Sequence, residues 1–78
     1  MKNIENIVIA SDVSERDGIG IEVYLDDELL LEIFRDDSEL TRKITTYKKD
    51  IALNDMERYI AIFKRDVPWD FVNYSELE

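Results

Sequence analysis

The sequence of 78 residues contains no cysteine and no histidine. Without cysteine the chain has no disulfide framework, no thiol nucleophile and no zinc–thiolate site. Without histidine it lacks the side chain best suited to proton transfer near neutral pH, which is also the commonest nitrogen ligand of metals. These two absences favour a protein that is not an enzyme and that uses no metal and no cofactor.

Proline, glycine and long apolar runs are also scarce. One proline and two glycines leave no proline-rich linker or low-complexity tract, so we predict a single domain over residues 1–78. No stretch approaches the roughly 18 consecutive apolar residues of a membrane helix. The first residues also lack the basic-then-apolar layout of a secretion signal. We therefore expect a soluble cytoplasmic protein that does not contact a membrane.

Negative charge is concentrated in the first half of the chain. Residues 1–40 hold twelve acidic and three basic side chains, whereas residues 41–78 hold seven of each, and the net charge is −9. Apolar residues make up 45% of the chain, too many for a disordered acidic tail. A folded domain with one-sided negative charge favours a basic partner. Direct nucleic-acid binding is not expected, because phosphate contacts need a basic stripe.

The residue pattern predicts three or four β-strands. Residues 4–10 form a β-branched run, and a loop rich in Ser, Asp and Gly follows at residues 11–18. Residues 19–35 contain two alternating apolar arms around an acidic tripeptide, which predicts a β-hairpin. Its turn has no Asn-Gly or Asp-Gly pair, so we expect a loop longer than two residues. Residues 41–48 are rich in threonine and predict a further strand.

A helix is predicted after the strands. Asn54 followed by Glu57 matches a capping box, which places the helix start here. Pro68 is expected to stop the helix at about Val67. Apolar residues between these limits recur at three- and four-residue spacing, which predicts one stripe facing the sheet. The residues of this stripe are Met56, Tyr59, Ile60, Phe63 and Val67.

Three aromatic residues follow the predicted helix, and we expect them to fold back over an edge of the core. They are Trp69, Phe71 and Tyr74, and burying such rings is favourable. The predicted fold class is therefore α+β. It consists of an antiparallel three- or four-stranded meander sheet with one C-terminal helix packed on one face.

Two acidic runs form the candidate surface for a partner. The candidate contact residues are Asp26, Asp27 and Glu28 in the hairpin turn and Asp36, Asp37 and Glu39 in the next polar break. If the sheet gathers them, they form an electronegative zone that steers a basic protein into contact. Acid that only solubilises the domain is the ordinary alternative. No catalytic residue is predicted, because neighbouring carboxylates such as those at 36 and 37 simply repel one another.

Four segments carry a resemblance to a known class of proteins. They are the first strand, the D-G-I-G-I-E-V-Y and L-E-I-F-R-D-D hairpin, a T-T-Y strand and a helix ending K-R-D-V-P-W-D-F. With these segments the chain resembles small bacterial immunity-type proteins encoded beside polymorphic or contact-dependent toxins. The resemblance implies a non-catalytic inhibitor that occludes one cognate toxin domain. The acidity of the chain fits a basic nuclease as that toxin.

Two other functions stay open from the sequence. The chain is alternatively an acidic mimic or antagonist of a nucleic-acid-binding protein, with carboxylates standing where phosphates would lie. It is otherwise a self-associating accessory module that packs through an uncovered sheet face holding Tyr24, Leu30 and Phe34. Either a monomer or a homodimer is compatible with these patterns.

Overall fold

The computed structural model describes residues 4–11, 17–48 and 50–72. Within these ranges the chain forms a four-stranded antiparallel sheet in the order β1-β2-β3-β4, followed by one helix. The elements are β1 (Glu5–Ser11), β2 (Gly18–Leu25), β3 (Glu28–Asp36), β4 (Thr41–Thr46) and α1 (Leu53–Asp66). The predicted α+β meander with a C-terminal helix is confirmed.

The two central strands supply the sheet's half of the core. Ile21 lies opposite Ile33 and Val23 lies opposite Leu31 in the β2–β3 pair. All four side chains are buried on the face that α1 covers. Strands β1 and β4 flank this pair, so their own side chains are mostly exposed.

The helix packs on the sheet through most of its predicted apolar stripe. Tyr59, Phe63 and Val67 are buried in the core, and Met56 and Ile60 pack against it while staying partly exposed. Asp55 lies in the first turn and basic residues lie in the last turn, as the helix dipole favours. The helix therefore buries the face that its spacing predicts.

The start of α1 differs from the prediction, whereas its end agrees. Ala52 is the N-cap residue and makes no side-chain capping hydrogen bond, so Asn54 already lies inside the first turn and its predicted cap role is wrong. The backbone becomes extended at Val67, whose N–H donates to the Phe63 carbonyl at 2.9 Å. Pro68 follows directly and confirms the predicted stop.

A bulge in β3 changes the position of Leu30. Val23 pairs with Leu31 and Tyr24 pairs with Leu29, so Leu30 has no partner in β2. The extra residue lets Leu30 join the core beneath the helix instead of the opposite face. Its carbonyl accepts the Tyr47 N–H at 2.9 Å. The prediction that Leu30 lies on an uncovered sheet face is therefore wrong.

The hairpin turn between β2 and β3 has two residues, not the longer loop that was expected. Leu25 pairs with Glu28, so only Asp26 and Asp27 connect the strands. Their φ angles are 51° and 67°, the pattern of a type I′ turn. Aspartate tolerates this left-handed region better than most residues. The Asp26 carboxylate also accepts the Ile4 N–H at 2.9 Å, which ties the turn to the chain before β1.

The sheet face opposite the helix is partly closed by Phe34. This side chain is buried, and its ring and backbone lie so close to Gly18 and Gly20 that a Cβ at either glycine would clash with them. Phe34 and Leu30 are therefore both buried. The prediction of an uncovered face for self-association, formed by Tyr24, Leu30 and Phe34, is wrong.

Candidate protein-interaction surface

The six candidate contact residues lie at two opposite ends of the sheet. Asp26, Asp27 and Glu28 lie at or just before the start of β3, whereas Asp36, Asp37 and Glu39 lie at or after its end. A strand of nine residues separates its ends by about 26 Å at roughly 3.3 Å per residue. The structure therefore does not gather the six residues into one patch.

Other carboxylates join the hairpin turn at its end of the molecule. Glu5 pairs with Leu25 next to the turn, and the chain that leaves β4 brings Asp50 and Asp55 to the same end. We call this group the acidic end. Its members are Glu5, Asp26, Asp27, Glu28, Asp50 and Asp55. Among the described residues, the basic side chains found beside it are Lys48 and Arg58, so negative charge prevails.

An open cleft lies within the acidic end. Its volume is about 460 Å³, and Glu5, Asp50 and Asp55 supply its carboxylates. Leu25, Leu30, Ile51 and Tyr59 form apolar parts of its wall. Lys48 and Arg58 also line it, and the Arg58 guanidinium lies 2.8 Å from Glu5 and 3.6 Å from Asp55. The cleft is therefore a concave surface that combines acidic, basic and apolar side chains.

Exposed apolar side chains accompany the carboxylates of this end. Ile4 is 68% exposed, Tyr47 is 59% exposed and Leu53 is 75% exposed. Ile4 is hydrogen-bonded to Asp26, Tyr47 adjoins Glu28 in a small depression, and Leu53 begins the helix beside the cleft. Large apolar groups amid charge are typical of contact surfaces, and tyrosine is enriched among the residues that dominate binding energy.

Glu5 connects β1 to the helix. Its two carboxylate oxygens accept hydrogen bonds from the Arg58 Nη atoms, both at 2.8 Å, and from the Tyr59 hydroxyl at 2.8 Å. The hydrogen bonds from Arg58 lower the pKa of Glu5, against the opposing effect of burial. Burial and then the hydrogen bond to Glu5 raise the pKa of Tyr59. One carboxylate of the acidic end is thus also a structural residue.

The lowered pKa of Glu5 predicts a loss of stability in acid. A carboxyl group whose pKa is lower in the folded state than in the unfolded state stabilises the fold. This stabilisation is complete above the unfolded pKa, about 4.3 for glutamate, and is lost as the pH falls through the folded pKa. We expect Glu5→Gln to lower the urea midpoint at neutral pH and to flatten the decline between about pH 5 and pH 3. Glu57→Gln, on the exposed side of the helix, is the control. A decline in Glu5→Gln as steep as in the native chain would contradict this assignment.

Two of the three acidic residues at the other end of β3, Asp36 and Asp37, have structural roles. Asp36 accepts the N–H groups of Ser38 and Glu39, each at 3.0 Å, and so shapes the turn before β4. Glu39 is exposed. Asp37 is buried, and its carboxylate contacts Arg35 and accepts the Val72 N–H at 3.1 Å. Asp37 cannot reach a partner, and its selection as a contact residue is corrected.

Two arginines hold the segment after the helix against β3 and β4. The Arg35 Nη1 donates to the Pro68 carbonyl at 2.7 Å. Arg42 donates to the Trp69 carbonyl at 2.6 Å and 3.1 Å, and its guanidinium lies 3.7 Å from the Trp69 ring centroid and 4.1 Å from that of Phe71. Trp69 and Phe71 thus return to the sheet edge as expected, but they lie on Arg42 and not in the core cluster, and Trp69 stays 49% exposed. Tyr74 lies outside the described residues.

Comparison with known proteins finds no matching family model, no similar curated protein and no similar solved structure. Within residues 4–11, 17–48 and 50–72 no group of three acidic side chains is arranged to hold a metal ion. The helix in these ranges is too short and too polar to span a membrane.

Proposed function

We propose that the chain is a non-catalytic protein-binding inhibitor that docks a basic protein on its acidic end. The observation that carries the proposal is the joint position of six carboxylates, an open cleft and three exposed apolar side chains at one end of the molecule. The partner class is a toxin domain, as the resemblance to immunity-type proteins implies. Binding would inhibit by occlusion of the toxin's active site or substrate surface.

Charge and apolar contact have separate roles in this proposal. The carboxylates attract a basic surface over a distance of about 10 Å at moderate salt and raise the association rate. The side chains of Ile4, Tyr47 and Leu53 then lose water against the partner, which slows dissociation. The opposite end is a weaker candidate, because Asp37 is buried and Asp36 is engaged in its own turn.

The proposal is tested by neutralising the hairpin turn without changing its shape. The variant Asp26→Asn, Asp27→Asn, Glu28→Gln removes three charges, and asparagine suits the positive φ angles of the turn. The probes are the proteins encoded by the genes that flank this one, each purified and assayed separately. We expect association with the cognate protein to slow by about tenfold at low salt, with little change in dissociation rate.

A variant with the same net charge provides the matched control. Asp36→Asn, Glu39→Gln, Asp70→Asn neutralises three side chains away from the hairpin turn. We expect its association rate to stay within about twofold of the native value. If the two triple variants slow association equally, the acidic end is not the contact surface. Failure of every flanking-gene product to bind would remove the immunity-type role.

A further inference from the structure

The outer edge of β1 presents a row of backbone hydrogen-bonding groups. The Ile4 carbonyl accepts the Asp26 N–H at 2.8 Å, so the backbone of Ile4 faces β2. Backbone direction alternates along an antiparallel strand. The residues whose N–H and C=O groups face away from β2 are therefore Glu5, Ile7, Ile9 and Ser11. Within the described part of the chain, no strand pairs with this edge.

Both faces of β1 are open beside this edge. Val8, on the face opposite the helix, is 43% exposed, and Ile9, on the helix face, is 55% exposed. A strand that lies alongside this edge would remove part of both side chains from water. Within the described residues, the edge is thus exposed on both faces beside its outward backbone groups.

Apart from Glu5 at its first position, whose carboxylate bonds to the helix, β1 lacks the features that usually protect an edge strand. Natural edges are blunted by lysine, proline, bulges or inward-pointing charge. β4, at the other edge, carries Arg42 and Lys43 within its six residues, and Arg42 is covered by Trp69. β1 has seven residues, E-N-I-V-I-A-S, with Glu5 as its one charged side chain. The two edges of the same sheet therefore differ, and only β1 is suited to pairing.

We propose that β1 pairs with β1 of a second copy of this chain. The pairing is antiparallel about a two-fold axis at Val8, and it extends the sheet across both copies. In this register Ile7 lies opposite Ile9 of the second copy, and Glu5 lies opposite its Ser11. These are the residues whose backbone groups face outwards, so each such pair exchanges two hydrogen bonds.

The self-paired register suits the side chains as well as the backbone. Ile7 and Ile9 of each copy lie side by side on the helix face, which removes apolar surface from water. No acidic side chain lies directly opposite another, and Glu5 is already engaged by Arg58. A second β1 is therefore a strand that this edge accepts without opposed like charges.

The dimer is expected to be weak and to strengthen with salt. Pairing along about 20 Å of strand gives a contact at the small end of protein interfaces. Each copy carries a net charge of −9, and salt screens the resulting repulsion. Capture of a basic partner by the acidic end weakens with salt, so the two associations respond to salt in opposite directions.

Sedimentation and amide hydrogen exchange of the native chain test the proposal. Over about 10 µM to 1 mM, a range that brackets weak interfaces, we expect the mass to rise from monomer to dimer. The amides of Ile7, Ile9 and Ser11 should exchange more slowly as the dimer forms, while the exchange of Val8 stays unchanged because its N–H faces β2. A uniform change along β1 would contradict the pairing.

Proline substitutions at matched positions of the two sheet edges test whether the dimer forms through β1 or through β4. Ile9→Pro removes an outward N–H of β1, and Ile44→Pro removes an outward N–H of β4, because Tyr47 faces Leu30 and the backbone alternates. Proline is tolerated on edges whose N–H faces solvent. We expect Ile9→Pro to weaken the dimer by about tenfold or more and Ile44→Pro to leave it unchanged. Circular dichroism verifies that both variants fold.

Three outcomes would overturn the proposal. The first is a strict monomer at all concentrations. The second is a dimer that Ile44→Pro disrupts and Ile9→Pro does not. The third is a monomer in which the alternate amides of β1 become protected only on adding the basic partner, which would assign the edge to a strand of that protein. Loss of dimer with intact partner binding separates this inference from the proposed function.

Discussion

Replacing Asp37 with alanine is expected to lower the free energy of unfolding by about 3–5 kcal/mol. Asp37 neutralises Arg35, which is only 3% exposed, with its Nε 2.9 Å and its Nη2 3.0 Å from the two carboxylate oxygens. The substitution leaves the guanidinium buried without its counter-charge. It also removes the acceptor of the Val72 N–H. A domain of this size has a total stability of about 4–12 kcal/mol, so the variant should be largely unfolded in mild urea.

Asp36→Ala is the matched control for Asp37→Ala. It removes an aspartate one residue away whose hydrogen bonds are solvent-exposed, and we expect a loss of about 0.5–1.5 kcal/mol. The double variant Arg35→Met, Asp37→Leu removes both charges and should recover much of the stability, because apolar residues often replace a buried ion pair at little cost. Urea denaturation with constant m-values measures all three. An Asp37→Ala variant within about 1 kcal/mol of the native chain would contradict this role.

Periodicity predicts most of the fold because the core is built from regular elements. The alternating residues of the hairpin place Ile21, Val23, Leu31 and Ile33 on one face, and the structure buries all four. The three- and four-residue spacing of the helix likewise selects Tyr59, Phe63 and Val67. Observed element ends differ from the predicted ends by only a few residues, because terminal residues are fixed by local hydrogen bonds that periodicity does not encode.

Two local features lack a sequence signal. Leu29, Leu30 and Leu31 are identical residues, so the pattern does not identify the one that forms the bulge; the pairing of Tyr24 with Leu29 determines it. Ala52 is the N-cap of the helix although its side chain cannot form a capping hydrogen bond, since packing of the apolar stripe outweighs a cap contribution of about 1 kcal/mol. Tertiary contacts determine both features.

The separation of the candidate contact residues can be predicted from the strand order, although not from the charge pattern alone. In an antiparallel meander, consecutive turns lie at opposite ends of the sheet, so the two acidic runs on either side of β3 cannot meet. The burial of Asp37 also has a signal. Leu31, Ile33 and Arg35 alternate on the core-facing side, and a cation at that position requires a nearby carboxylate. The strand order therefore predicts which of the acidic residues lie together, whereas the charge pattern alone does not.

Replacing Phe63 with alanine is expected to lower the free energy of unfolding by about 3–5 kcal/mol. Phe63 is 3% exposed and belongs to the cluster that joins α1 to the central strands. Loss of the ring leaves a cavity. The surrounding strand residues can fill it only in part, because their backbone hydrogen bonds to neighbouring strands fix their positions. Thermal and urea denaturation of the variant measure the loss, and its m-value reports whether the folded state stays compact.

Two further substitutions on α1 make the Phe63 prediction specific. Phe63→Leu keeps much of the apolar volume and should cost clearly less than the alanine variant. Glu57→Ala changes an exposed position of the same helix and should stay within about 0.5 kcal/mol of the native chain. Native stability in Phe63→Ala would mean that the helix does not pack through this stripe. The acidic end would then lose its support, because Glu5 bonds to Arg58 and Tyr59 only while α1 lies on the sheet.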